Sequence, residues 1–179
     1  LVYYSGHGFI AGKHERAYLA TPDISILDIQ NNPRAGLQME YLHNDIFMET
    51  KAKFVIFILD CCHSGAFCTA LEHKESSPNT KHLVEAQFYS GEGRIAFVSS
   101  PREIVSRESK EFKNGVFTYH LLNGLRGAAA EPSGEVTATS LASYVQRMNP
   151  INQPPQFYGN TTRIVLTQPN RSLLDKHVY

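Results

Sequence analysis

Two strings in this chain join a reactive side chain to glycines at the end of an apolar run: Tyr4-Ser5-Gly6-His7-Gly8 and Asp60-Cys61-Cys62-His63-Ser64-Gly65. A cysteine attacks a carbonyl carbon only as its thiolate, and a free thiol with a pKa of about 8.5 is mostly protonated at neutral pH. It therefore needs a base that takes its proton and later returns it to a leaving amine. Cys62 is the candidate nucleophile and His7 the candidate base. His63 is the poorer base, because a side chain next in sequence to the nucleophile seldom points at it. Glycines beside His7 let backbone approach a substrate closely and offer N–H donors to a developing oxyanion.

His7 and Cys62 lie 55 positions apart, so the fold must bring them together. Leu1-Val2-Tyr3-Tyr4 reads as the end of a strand, and Phe54 to Leu59 as a strand apolar on both faces, the pattern of a central parallel strand. In an open parallel sheet the carboxyl ends of neighbouring strands converge on one edge, where α/β proteins place reactive groups. The string after Asp60 is expected to open a helix running toward Leu71, which sets Cys62 where unpaired N–H groups favour an anion. Further along, Ala17 to Ala20 and Arg94 to Ser99 read as strands, with a loop over Pro22 to Gly36. Met39, Leu42, Ile46 and Phe47 predict a helix over Gln38 to Thr50. Helices are predicted over Val116 to Leu125, ended by Arg126-Gly127, and over Thr139 to Met148. Pro154-Pro155 breaks the chain before a last strand, Arg163 to Thr167. The alternation predicts an α/β fold, a mainly parallel sheet covered on both faces. The polar stretch near 72–94 is a long exposed loop, a candidate processing segment.

The 179 residues, 42% of them hydrophobic, suit one domain over 1–167 with a C-terminal tail over 168–179. Seventeen basic residues balance seventeen acidic ones, which argues against nucleic acid or a charged membrane surface as partner. No apolar run approaches the roughly 18 residues of a membrane span. Three cysteines, two adjacent, make no disulfide framework and point to a reducing, cytoplasmic setting. The chain opens within a strand with no turn or cap before it, so neighbouring strands are expected upstream.

Tyr4-Ser5-Gly6-His7-Gly8 and Asp60-Cys61-Cys62-His63-Ser64-Gly65 resemble the histidine and cysteine signatures of the metacaspases and their bacterial, orthocaspase-like relatives among the caspase-like cysteine peptidases. Phe97 to Ser100, Asn114 to Leu122, Gly124 to Gly127 and Gln153 to Phe157 match in the family's order. The resemblance implies a caspase-like three-layer sandwich entered at its third strand, the first two lying outside this chain. It implies a cysteine endopeptidase with His7 as base and Cys62 as nucleophile, and an oxyanion hole from the N–H groups of Gly8 and Cys62. Ser5 and Asp60 match positions lining a pocket that selects Arg or Lys before the scissile bond. A desolvated carboxylate suits that choice through charge-assisted hydrogen bonds. Lys74, Lys81 and Arg94 are candidate self-cleavage points. The partners implied are a protein or peptide substrate with Arg or Lys at the cut, together with the absent strands or a fused or associated regulatory domain.

No cofactor or metal is expected. Ala11 to Arg16 lacks the acidic cluster of calcium-requiring relatives, and Asp23 with Asp28 is too few ligands for that ion. Cys61, Cys62, His63 and Cys68 are poorly spaced for a tetrahedral metal site. A thiol phosphatase would want arginine where Cys68 stands. In the plainest reading Cys61 and Cys68 are packing residues, His63 belongs to a turn, Asp60 caps the helix after it, and Glu103 and Glu108 are solvated. The competing function is a catalytically silent scaffold or regulatory domain, which the retained His7 and Cys62 argue against.

Overall fold

The computed structural model describes residues 1–24, 26–32, 35–69, 93–99, 115–149, 154–159 and 163–169. Its central sheet runs β1 (Val2–Ser5), β5 (Val55–Asp60), β6 (Arg94–Val98) and β8 (Gln156–Gly159), in that order. β1, β5 and β6 are parallel, and β8 pairs antiparallel with β6. Side chains alternate across a strand, and here both sets are apolar. Val55, Phe57 and Leu59 enter one core, with Ala96 and Val98 of β6. Ile58, Ile95 and Phe97 enter the other. Burial on both faces explains the unbroken apolar run at 54–59.

On the first face lies a helix that starts as α2 (Met39–Tyr41) and continues over Leu42–Met48 with wider, i→i+5 winding. Met39, Leu42 and Phe47 are buried as the helical spacing predicts, but Ile46 is 36% exposed. The wider winding turns each residue through a smaller angle, which carries Ile46 off the buried side and brings His43 in. Phe47, Phe57 and Phe67 meet with ring centroids 5.0–5.5 Å apart. Phe67 comes from α3 (Ala66–Thr69). The second face is covered by α4 (Val116–Asn123), extended by a looser turn over Gly124–Ala128, and by α5 (Ala138–Met148).

α5 begins with a capping box. Thr137 Oγ1 accepts from the Ser140 N–H at 3.1 Å, and Ser140 Oγ accepts from the Thr137 N–H at 3.0 Å. Two orphan donors of the first turn are thereby satisfied, and the helix starts one residue earlier than its apolar pattern predicts.

The structure departs from the sequence reading, or adds to it, in four places. The loop predicted over Pro22 to Gly36 contains the short helix α1 (Ile26–Asn31). The strand read at Ala17 to Ala20 is β3 (Arg16–Leu19), and it belongs to a separate antiparallel sheet with β2 (Gly8–Ala11) and β4 (Leu37–Gln38), whose short, mostly half-buried strands the sequence does not announce. The last strand, expected over Arg163 to Thr167, is the shorter β9 (Val165–Thr167), and it pairs with β7 (Val136–Thr137) outside the central sheet. Arg163 joins it to the preceding turn through ion pairs with Glu131 and Glu135. The helix expected to open directly after Asp60 starts only at Ala66, because His63 stands at φ 58°, a left-handed conformation through which a right-handed helix cannot pass. Cys62 therefore sits in a turn, four residues ahead of the helix N-terminus.

Candidate active site

The two strings meet at the carboxyl ends of β1 and β5. Ser5 stands opposite Asp60 in register, and one residue later the Gly6 N–H donates to the Asp60 carbonyl at 3.2 Å. The chain then turns at His7 and enters β2. That turn is held from behind: the Ala20 N–H donates to the His7 carbonyl at 2.9 Å, and the Tyr4 hydroxyl donates to the carbonyls of His7 at 3.0 Å and Ala20 at 2.6 Å. Burial, aided by the neighbouring Cys61, pushes the Tyr4 phenol up to about 12, so it remains a donor at any physiological pH. His7 is left exposed on a fixed backbone.

Gly8 makes the join. It is buried, and a side chain there would run into the Cys62 carbonyl oxygen and come within 3.1 Å of the Cys61 sulfur. Only glycine lets the backbone after the histidine lie against the backbone of the cysteine turn. The structure thus brings the His7-Gly8 and Cys61-Cys62 segments into direct backbone contact.

Three consecutive residues at the end of β5 have three environments. Cys61 points into the first core and is 1% exposed. Burial, then the nearby Asp60 and Cys62, drives its thiol far above the ordinary range, so it is an inert packing group. Cys62 is half-exposed in the turn, and His63 follows it at positive φ. A non-glycine residue held in that region costs of order 1–3 kcal/mol and is commonest where function demands it.

Asp60 points to the opposite face from Cys61 and is 9% exposed. It does not cap the helix that follows it. Its Oδ2 instead accepts a 2.5 Å hydrogen bond from Thr118 Oγ1 in the first turn of α4. A side chain on Gly115, the residue before α4, would lie 2.9 Å from the same oxygen, so the helix start can approach the carboxylate only because that residue is glycine. Ser5 is exposed on the neighbouring strand.

The remaining sequence candidates are dispersed. Arg94 opens β6 opposite Val55, and its guanidinium donates to the carbonyls of Ala52 at 3.0 Å and Thr50 at 2.6 Å. Lys74, Lys81, Glu103 and Glu108, with most of the 72–94 loop, lie outside the described residues. Cys68 falls within α3. Sequence reasoning missed the roles of Tyr3, Tyr4, Gly115 and Thr118. Tyr4 lies within the histidine string and Thr118 within the string Asn114 to Leu122, but spacing alone does not show what a hydroxyl will meet.

A mixed, mainly parallel sheet between two helical layers is the architecture of the caspase-like α/β sandwich. A family model described as the caspase domain matches residues 1–166, and the chain belongs to that family of cysteine peptidases. No curated protein matches the chain. Among the described residues no helix is long and apolar enough to cross a membrane.

Proposed function

We propose that the domain is a metacaspase-like endopeptidase that cuts after Arg or Lys using Cys62 and His7. The observation that carries this reading is the backbone abutment of Gly8 on Cys62, which joins the histidine and cysteine turns at one sheet edge. The Cys62 sulfur attacks the scissile carbonyl carbon while His7 takes the thiol proton. The tetrahedral oxyanion is held by the N–H groups of Gly8 and Cys62. Its collapse breaks the C–N bond, and His7 protonates the departing amine. Water then attacks the thioester, giving up a proton to His7 that returns to the sulfur as the carboxylic acid leaves.

Asp60, buried two residues before the nucleophile, supports a basic preference, with Ser5 beside it on β1. An arginine or lysine side chain reaching this carboxylate exchanges water for a charge-assisted hydrogen bond in a partly desolvated setting. Substrates are therefore peptides or proteins with a basic residue before the cut. Self-cleavage is assigned to Lys74 or Lys81. The bond after Arg94 belongs to the β5–β6 ladder and would have to unpair before a protease could reach it.

The test is fluorophore release from peptides ending in Arg, Lys or Asp, with the unaltered chain and Cys62→Ala, each with and without calcium. Turnover of the basic peptides that vanishes in the variant supports the mechanism. Cleavage only after Asp overturns the pocket assignment. Absence of any turnover favours a silent scaffold.

A further inference from the structure

A buried hydroxyl on the inner side of α4 is unusual beside Phe117 and Leu121. Thr118 is only 6% exposed. A helical threonine commonly spends its hydroxyl on the carbonyl one turn back, whereas this one donates to a carboxylate 58 positions away in sequence. On its other side Thr118 Oγ1 lies 3.0 Å from the Tyr3 hydroxyl. The direction of this short chain follows from counting protons. An ionised Asp60 can only accept, so the single proton of Thr118 goes to Oδ2, and the Tyr3 hydroxyl must donate to Thr118. The order is Tyr3 to Thr118 to Asp60, each bond polarising the next.

Two elements thus fix one carboxylate oxygen: the start of α4, through Thr118 and the close approach permitted by Gly115, and β1, through Tyr3 behind Thr118. The N-terminal end of a helix is also the end that favours a negative charge. A bare carboxylate at the end of a strand would be free to rotate about its last bond. This one has its plane set by a neutral donor that adds no competing positive charge.

We propose that Thr118, backed by Tyr3, is the positioning residue that orients Asp60 to receive the basic side chain of the substrate. The inference rests on the assignment of Asp60 to the primary pocket. With Oδ2 engaged by Thr118, Oδ1 is the oxygen turned to the incoming guanidinium or ammonium group. Thr118 does not touch the reacting atoms, so its loss weakens substrate binding and leaves the chemical step in place.

The experiment compares KM and kcat for Arg and Lys peptides in the unaltered chain, Thr118→Val, Thr118→Ser, Tyr3→Phe and Asp60→Asn. Thr118→Val keeps the shape and removes the donor, and is expected to raise KM roughly tenfold with kcat within about twofold, the size of a hydrogen bond to a charged group. Thr118→Ser restores the donor and returns KM to within about twofold of the unaltered value, and Tyr3→Phe raises it about two- to threefold. If Asp60→Asn raises KM and Thr118→Val does not, the Thr118 assignment alone is overturned. A Thr118→Val variant that loses thermal stability and kcat at unchanged KM likewise reduces the residue to a structural role and overturns the proposal. If Asp60→Asn leaves both basic peptides unaffected, or the unaltered chain turns over neither, the pocket reading fails and this proposal falls with it.

Discussion

The two faces of the central sheet are built from the same strands and serve different ends. On the first, Phe47 and Phe67, themselves packed on Phe57, flank the buried ring of His43, which lies 5.3 Å from Phe67 in an edge-on arrangement. Val55, Phe57 and Leu59 of β5 are packing residues on that side, and Cys61, just past the strand, continues them. On the second, aliphatic Ile58 and Ile95 give way toward the strand ends to Asp60, and the covering helix supplies Thr118. The first face behaves as a closed aromatic core. The second carries polar groups at the carboxyl end of β5, where Asp60 meets Thr118. Asp60 and Cys61 are adjacent at the end of β5, and the alternation of side chains sends one toward Thr118 of α4 and the other into the first core. An acid or a thiol is therefore defined by its parity along the strand as much as by its chemistry.

The sharpest test of that contrast sets the two cysteines against each other. Under the proposed mechanism Cys62→Ala lowers kcat/KM on a basic peptide by at least about a thousandfold. Cys61→Ala retains turnover and costs about 1 kcal/mol of stability, read from urea unfolding. Alkylation followed by peptide mass mapping gives the same division: iodoacetamide reaches Cys62 in the native chain and Cys61 only after unfolding.

Next in size is Gly8→Ala. The new methyl meets the Cys62 carbonyl and the Cys61 sulfur, so the two turns must separate, and kcat is expected to fall by about a hundredfold or more. A variant with undiminished kcat would show that the abutment is not needed for turnover.

The packing difference is measured by paired core substitutions. Phe57→Ala removes a ring at the centre of the aromatic cluster and costs about 3–5 kcal/mol, while Ile58→Val on the opposite face costs about 0.5–1.5 kcal/mol. Equal losses in chemical denaturation would erase the distinction between the faces.

The smallest effect is a pH dependence read at His43 on the first face. Burial pushes the His43 imidazole below its ordinary value, with the Asn44 hydrogen bond opposing the shift. The folded chain prefers the ring neutral, while the unfolded chain titrates at about 6.5. Between those values the unfolded state binds more protons, so the stability is fully present above about pH 6.5 and is lost as pH falls through the lower folded pKa. Urea midpoints measured from about pH 8 down to about pH 5 should drop less steeply for His43→Leu than for the unaltered chain.

Much of this was legible in the residues. The run Phe54 to Leu59 announces a strand buried on both faces because nothing polar interrupts either parity, and β5 occupies Val55–Asp60. Arg94 to Ser99 likewise contains β6. The hairpin Gly8–Ala11 with Arg16–Leu19 was less visible, since four-residue strands carry too few alternations to stand out from a loop. The register that sets Ser5 opposite Asp60 was not visible at all, because either parity of so apolar a strand would have looked acceptable.

By itself the sequence determined the strand ends at which His7 and Cys62 lie, the apolar content that forces a sheet buried on both sides, and the glycines that allow two turns to touch. Those are properties of short runs, set by side-chain type and local backbone preference. Only the tertiary structure decided that Asp60 would turn to Thr118 rather than cap its own following helix, that Cys61 would be sealed away while Cys62 stayed half-exposed, and that Tyr4 would hold the carbonyl of His7. Each of these depends on which residues a third element brings within hydrogen-bonding reach. Such contacts join residues up to 115 positions apart, and no local pattern records them.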